Sequence, residues 1–289
     1  MVRSAPVSVR IEGANVLLTG ASSGIGAALA PMLAERGARL AVVARREQRL
    51  REVLGRCPGD GHRAYPCDLG DVAAAEWTAM QAWNDLGGLD VVIHNAAIPK
   101  RRAVQELTNE DVHHVMAVNY FAPTRITLAL LPLMRERGHG STVFVSSLGG
   151  RLGIVHEAAY CGSKFALCGW AESMAMDLMG TGLDVRLVVP GPIDTEIWDL
   201  PDNDDPLYDG ELLPPETVAA DIITSIEGDR FETYSPDMLG IVEFKTKQID
   251  VFLEGAAAMI ERSPKAGLGE AEIGRDREGD VAKPKEQQA

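Results

Sequence analysis

The sequence predicts a single α/β domain, built as a three-layer, doubly wound parallel sheet, on three observations. Short runs of β-branched and apolar residues alternate with longer amphipathic stretches, the pattern that right-handed βαβ units produce. A glycine-rich segment joins the first such run to the first amphipathic stretch. With 289 residues and 46% hydrophobic content, the chain can bury one large core.

Taken in order, the first strand is expected at Asn15 to Thr19. Pro31 falls inside the helix that follows, where it removes a backbone donor and should kink the helix or sit near a frayed turn. Further strands are expected at Arg39 to Ala44, Arg63 to Cys67, Leu89 to His94, Thr142 to Ser146 and Asp184 to Val189, with helices between them. Ala158 to Met179 has small and apolar residues at helical spacing and no proline, so it reads as one long helix. Asp199 to Pro215 holds four prolines among acidic residues and reads as a mobile loop over the strand ends. Beyond about Ser263 the chain is charged and Gly-rich without apolar periodicity, which predicts a disordered tail at 263–289. Residues 1–12 read as an N-terminal arm, and 13–262 as the folded domain.

The net charge of -14 is unevenly placed, because 17 acidic and 3 basic residues between Asp194 and Glu254 account for all of it. Phosphate backbones need clustered Lys and Arg, so nucleic acid is not expected as a partner. No window approaches the roughly 18 apolar residues of a membrane span, and a soluble, cytoplasmic protein is expected. Cys57, Cys67, Cys161 and Cys168 lack CxxC pairing, which predicts reduced, partly buried thiols and no metal site.

Two segments carry chemistry. Thr19-Gly20-Ala21-Ser22-Ser23-Gly24-Ile25-Gly26 lies between a predicted strand and a predicted helix. Glycines there let the backbone approach a pyrophosphate, and the free amides and positive end of the next helix stabilise its charge. Such turns also serve packing alone, but the βαβ context favours phosphate. Tyr160-Cys161-Gly162-Ser163-Lys164 places Tyr160 and Lys164 on one face of the long helix. A phenol with an unperturbed pKa of roughly 10 is a poor base near neutrality, and an adjacent ammonium would draw it toward the working range. Tyr and Lys at this spacing often form an ordinary helix surface, so the weight rests on coincidence with other motifs.

With these motifs, the chain resembles the short single-domain branch of the short-chain dehydrogenase/reductase family, across roughly Gly13 to Tyr234. The pattern GxxxGxG is met at Gly20, Gly24 and Gly26, YxxxK at Tyr160 and Lys164, and Ser147 lies thirteen residues before the tyrosine. Ser146 is the alternative serine. The resemblance implies the Rossmann fold and a catalytic set of Asn119, Ser147, Tyr160 and Lys164. Asn119 would support a proton-relay water, Ser147 would hold the substrate oxygen, and Lys164 would bind the nicotinamide ribose. It further implies cofactor contacts from Ser22, Ser23 and Ile25 in the turn, from Asp68 and Leu69 at the adenine, and from Asn95 and Ala96. Ala97 replaces the glycine that follows them in the family. Pro190, Gly191, Ile193 and Thr195 match the family's segment beside the nicotinamide carboxamide.

NAD-preferring relatives end the second strand in an acid that binds the ribose hydroxyls and repels a further phosphate. Here Ala44 stands at that position, followed by Arg45 and Arg46. A guanidinium suits a 2′-phosphate, so NADP(H) is expected; the alternative is that Arg45 and Arg46, the latter above all, are solvated helix-start residues.

The reaction implied is hydride transfer between the nicotinamide and a carbonyl or secondary alcohol, with Tyr160 as general acid/base. Ile98, Leu148, Leu152, Ile154, Trp198 and Tyr208 are the substrate-pocket candidates, and they suggest a neutral, moderately apolar small molecule beneath an acidic lid at about 194–215. That acidity argues against anionic acyl carriers, an argument weakened by Lys100, Arg101 and Arg102 near the same entrance. A 3-oxoacyl-thioester reductase and a non-catalytic NADP-binding regulator are the alternatives. His113 and His114 read as helix-surface residues, and no motif requires His94 or His156. By resemblance the chain is expected to form a homodimer or homotetramer.

Overall fold

The computed structural model describes residues 9–262, so the disordered tail expected at 263–289 and most of the N-terminal arm lie outside the described residues. Seven parallel strands form one sheet: β1 (Asn15–Thr19), β2 (Arg39–Ala44), β3 (Arg63–Pro66), β4 (Val91–His94), β5 (Gly140–Val145), β6 (Leu183–Pro190) and β7 (Glu232–Ser235). Their order is β3-β2-β1-β4-β5-β6-β7. Between them run the helices α1 (Gly24–Glu35), α2 (Glu47–Leu54), α3 (Val72–Leu86), α4 (Asn109–Met116), α5 (Ala122–Arg137), α6 (Ala158–Asp177) and α7 (Pro215–Glu227). α8 (Leu239–Lys247) and α9 (Ile249–Arg262) follow the last strand, and a π-helical turn at Ala117–Phe121 joins α4 to α5.

Residues alternate across each strand, and both faces are covered. Val16 and Leu18 of β1 pack with Leu29 and Leu33 of α1 and Ile222 and Ile226 of α7. Leu17, between them, belongs to the opposite core with Ala79, Ile126 and Leu167 of α3, α5 and α6. A strand buried on both faces needs apolar side chains at consecutive positions, which is why these strands read as continuous apolar runs. The core starts before Gly13, since Val9 and Ile11 are buried within the α1 and α7 layer.

β1 pairs with β2 on one side, Val16 opposite Leu40, and with β4 on the other, Val16 opposite Val91. The direction of winding reverses between β1 and β4, and a parallel sheet opens a crevice at the carboxyl ends of its strands there. β7 was not anticipated, because Glu-Thr-Tyr-Ser is a half-buried edge strand without an apolar run. α1 continues through Pro31. The Ala27 carbonyl, whose helical donor would have been residue 31, accepts instead from the Arg56 guanidinium at 3.2 Å. No helix among the described residues is long and apolar enough to cross a membrane.

Candidate active site

A cleft of about 900 Å³ lies over the carboxyl ends of β1, β4, β5 and β6. At one end is the glycine turn. Gly20 has a φ of +69°, and a Cβ there would stand 2.7 Å from the Ala96 Cα. A Cβ on Gly26 would collide with the Gly20 carbonyl oxygen. The Asn95 amide donates to the carbonyls of Thr19 and Gly20 at 3.0 and 3.3 Å, so this side chain shapes the turn. Gly20, Ser22, Ser23, Gly24 and Ile25 line the cleft, while Gly26 lies beneath them. Ser23 caps α1 without a side-chain hydrogen bond, leaving the first amides of the helix without a side-chain partner. A bare backbone with free donors at a helix start is a fit for a pyrophosphate.

Beside the turn, Ala44 is buried at the end of β2 and Arg45 and Arg46 are exposed. Arg46 is more than a solvated helix-start residue: it donates to the Ser22 hydroxyl at 3.3 Å and to the Glu196 carboxylate at 2.7 Å. Arg49 also pairs with Glu196. Asp68 and Leu69 line the same end, and an Asp68 carboxylate oxygen accepts from the Gly70 amide at 2.9 Å.

At the middle of the cleft β5 delivers Ser147, and α6 delivers Tyr160 and Lys164. The Ser147 hydroxyl accepts from the Gly149 amide at 3.1 Å and is also a hydrogen-bond partner of the Tyr160 phenol. Ser146 turns away, its hydroxyl 3.1 Å from the Cys168 Sγ. Lys164 is buried, with Nζ donating to the Val145 carbonyl at 2.9 Å and lying 5.8 Å from the centre of the Tyr160 ring. Burial lowers the Lys164 ammonium to about 8. Burial also pushes the Tyr160 phenol above its ordinary range, opposed by the hydrogen bond to Ser147. Desolvation is the largest cause and the neighbouring Glu157 carboxylate adds to it, so the shift of the phenol runs opposite to the lowering expected from Lys164.

Asn119 is fully buried in the π-helical turn, a distortion that takes it out of the regular helical register. Its amide donates to the Ile98 carbonyl at 2.9 Å and the Ser163 hydroxyl at 3.0 Å, and its oxygen accepts from the Ile98 amide at 2.9 Å. It ties the loop after β4 to α6.

Residues 14–205 match the family model for short chain dehydrogenases. The chain belongs to the short-chain dehydrogenase/reductase family. It is 32% identical to "Ketoacyl reductase HetN" of Nostoc sp., over 63% of this chain and 64% of that one. It is 30% identical to "D-threitol dehydrogenase" of Mycolicibacterium smegmatis, over 73% of this chain and 85% of that one. A Burkholderia cenocepacia short chain dehydrogenase solved in complex with NADP superposes with a TM-score of 0.73 at 25% identity, covering 86% and 99% of the two chains. The match to the Nostoc relative thus spans less than two thirds of its length.

In this short-chain dehydrogenase/reductase, Ile98, Leu148, Leu152, Ile154, Trp198 and Tyr208 all line the cleft, as do Ala97, Pro190, Gly191, Ile193 and Thr195, the last lying against Gly24 of the glycine turn. The Trp198 indole donates to the Ile193 carbonyl at 2.7 Å, and its ring stacks on Tyr208 with centres 6.2 Å apart. Arg101 is buried beneath this segment and donates to the carbonyls of Ile197, Trp198 and Asp204. Lys100 pairs with Asp111 at 2.7 Å and Asp202 at 2.6 Å, and Arg102 with Asp202 at 2.9 Å. The three cations near the entrance hold the acidic segment in place.

Sequence reasoning missed Glu157, which lines the cleft one turn before Tyr160, and the α8 and α9 residues Ile241, Phe244 and Phe252. The spacing of three from Tyr160 was the available signal for Glu157; α8 and α9 carry no motif. His94 is buried and stacked on Phe144, and burial lowers it to about 3. All four cysteines are free.

Proposed function

We propose that this oxidoreductase is an NADP(H)-dependent carbonyl reductase or alcohol dehydrogenase with Tyr160 as its general acid/base. The observation that carries the reading is the meeting of Ser147, Tyr160 and Lys164 at one point of the cleft, braced by Asn119. A bound nicotinamide would supply or accept the hydride at C4. Ser147 hydrogen-bonds the substrate oxygen and fixes its position, and Tyr160 delivers its proton to that oxygen in the reductive direction. Lys164 stabilises the phenolate that results and holds the nicotinamide ribose. Burial keeps the Tyr160 phenol protonated at neutral pH, and the hydrogen bond from Ser147 opposes that upward shift.

Support for NADP(H) over NAD(H) comes from Ala44, which offers no carboxylate to repel a 2′-phosphate, and from Arg45, Arg46 and Ser22 around it. The glycine turn would hold the pyrophosphate, Asp68 and Leu69 the adenine end, and Ile193 and Thr195 the carboxamide. The apolar walls favour a neutral ketone, aldehyde or secondary alcohol. The likeness to a ketoacyl reductase favours a second reading, 3-oxoacyl-thioester reduction. A cytoplasmic homodimer or homotetramer is part of the proposal, with exposed Leu128 of α5 and Met176 of α6 as apolar groups available to a partner copy.

NADPH oxidation measured against neutral ketones, aldehydes and acyl thioesters tests the proposal. Turnover on neutral carbonyls is expected, with Tyr160→Phe lowering kcat by roughly 10²- to 10⁴-fold while NADPH still binds. A fully active Tyr160→Phe removes the phenol from the mechanism. Turnover on thioesters alone moves the assignment to the second reading, and none on any substrate favours an NADP-binding regulator.

A further inference from the structure

Glu157 opens α6 in the wall of the cleft and is 8% exposed. Its Oε2 is buried without a hydrogen-bond partner. Arg101 is the cation that acts on it, but the Arg101 guanidinium is already engaged by the carbonyls of Asp204, Ile197 and Trp198. The surrounding wall is apolar, with Leu148, Leu152 and Ile154 among its members. A buried carboxyl lacking a donor disfavours folding, and a leucine or glutamine would fill the same space with less penalty. Burial raises its pKa to about 7.

The backbone around it is also held under constraint. His156 has a φ of 61°, a left-handed conformation rare for a residue with a Cβ, and its carbonyl accepts from the Arg102 amide at 2.7 Å. The segment that anchors the acidic loop therefore also fixes the approach to Glu157. Strain of this kind persists where surrounding structure enforces it, most often beside ligands. Glu157 is the N-cap of α6 and Tyr160 the third residue of that helix; both line the cleft and the carboxyl acts on the phenol, so the two can serve neighbouring groups of one small molecule.

We infer that Glu157 is a substrate-specificity residue, accepting a hydrogen bond from a hydroxyl carried one or two carbons from the reacting carbonyl. The substrate class is then the hydroxy-ketones and, in the oxidative direction, the corresponding diols. The inference rests on the carbonyl-reductase reading and narrows it: the apolar walls hold the carbon skeleton, and one acceptor selects its hydroxyl.

The test compares NADPH-dependent kcat/KM on 2-hydroxycyclohexanone and 2-methylcyclohexanone, which differ at the group Glu157 would meet. Wild type should prefer the hydroxy-ketone by roughly 10- to 100-fold, the range of a hydrogen bond to a charged acceptor. Glu157→Leu should bring the ratio close to one, mainly through KM, and Glu157→Gln, which keeps an acceptor, should fall between. A Leu variant that retains the wild-type ratio overturns the inference, as does a wild type that reduces both ketones equally. If wild type reduces neither these nor any other carbonyl, the carbonyl-reductase reading itself fails and the inference with it. Should the variants not fold, inhibition of wild type by 1,2-cyclohexanediol and by 2-methylcyclohexanol decides: tighter binding of the diol supports the role, and equal binding overturns it.

Discussion

Lys164 and Glu157 share the wall of one cleft, and burial moves them in opposite directions, the ammonium down to about 8 and the carboxyl up to about 7. For Glu157 the consequence for stability has a definite sign. Between its ordinary value of 4.5 and about 7 the folded protein holds a proton that the unfolded chain has released, so stability falls as pH rises through that window. The full penalty, about 3 kcal/mol from the size of the shift, is present above pH ~7. Glu157→Gln should accordingly raise the melting temperature at pH 8, with the gain fading toward pH 5; an equal gain at both pH values would show that the carboxyl does not titrate in this way. Ala44 and Arg45 give a second test, since Ala44→Asp with Arg45→Gln should weaken NADP(H) binding by ten-fold or more, about 1.4 kcal/mol, and favour NAD(H) in a fluorescence titration. Which serine faces the tyrosine was legible from spacing. The direction of the Tyr160 shift was not, because it depends on burial that only the folded walls define.

Among the elements, the segment after β6 shows how far sequence pattern reaches. Prolines and acids marked Asp199 to Pro215 as a mobile loop, and no regular helix or strand forms before α7, but nothing in its own residues shows that Arg101, about a hundred positions earlier, takes three carbonyls of the segment after β6. Arg101→Met keeps the bulk and removes the donors. It should speed cleavage within 199–211 by a glutamate- or aspartate-specific protease by on the order of ten-fold, since local opening governs such cleavage. Unchanged cleavage would mean that Lys100 and Arg102 suffice. Five of the six expected strands were legible because two buried faces demand apolar runs, the sixth, β3, being an exposed edge strand, and their ends differ from expectation by only a few residues. β7 is the opposite edge, pairing on one side only, and its Glu-Thr-Tyr-Ser has no apolar run to mark it.

For the molecule as a whole, the concentration of negative charge is softer than the sequence suggests. Glu196 is bridged by Arg46 and Arg49, and Asp202 by Lys100 and Arg102, so the cleft mouth facing a substrate carries less net charge than the segment alone. Repulsion of anionic substrates is correspondingly weaker, which keeps the thioester comparison informative. The proposed assembly gives a test at this scale: Leu128→Glu with Met176→Glu should shift sedimentation toward monomer while leaving the circular dichroism spectrum intact, because a charge opposed to its own copy disfavours a symmetric interface. An unchanged sedimentation coefficient would place the interface elsewhere.

The cover of the cleft has an unusual distribution along the chain. The residues proposed for chemistry all precede Pro190, whereas Trp198, Tyr208, Ile241, Phe244 and Phe252, which roof the far end, all follow it. The family match ends at residue 205, before α8 and α9. β6 therefore divides the cleft along the chain: a graft of everything beyond Gly191 from a relative would exchange the aromatic and aliphatic cover while leaving Glu157, Ser147, Tyr160 and Lys164 in place.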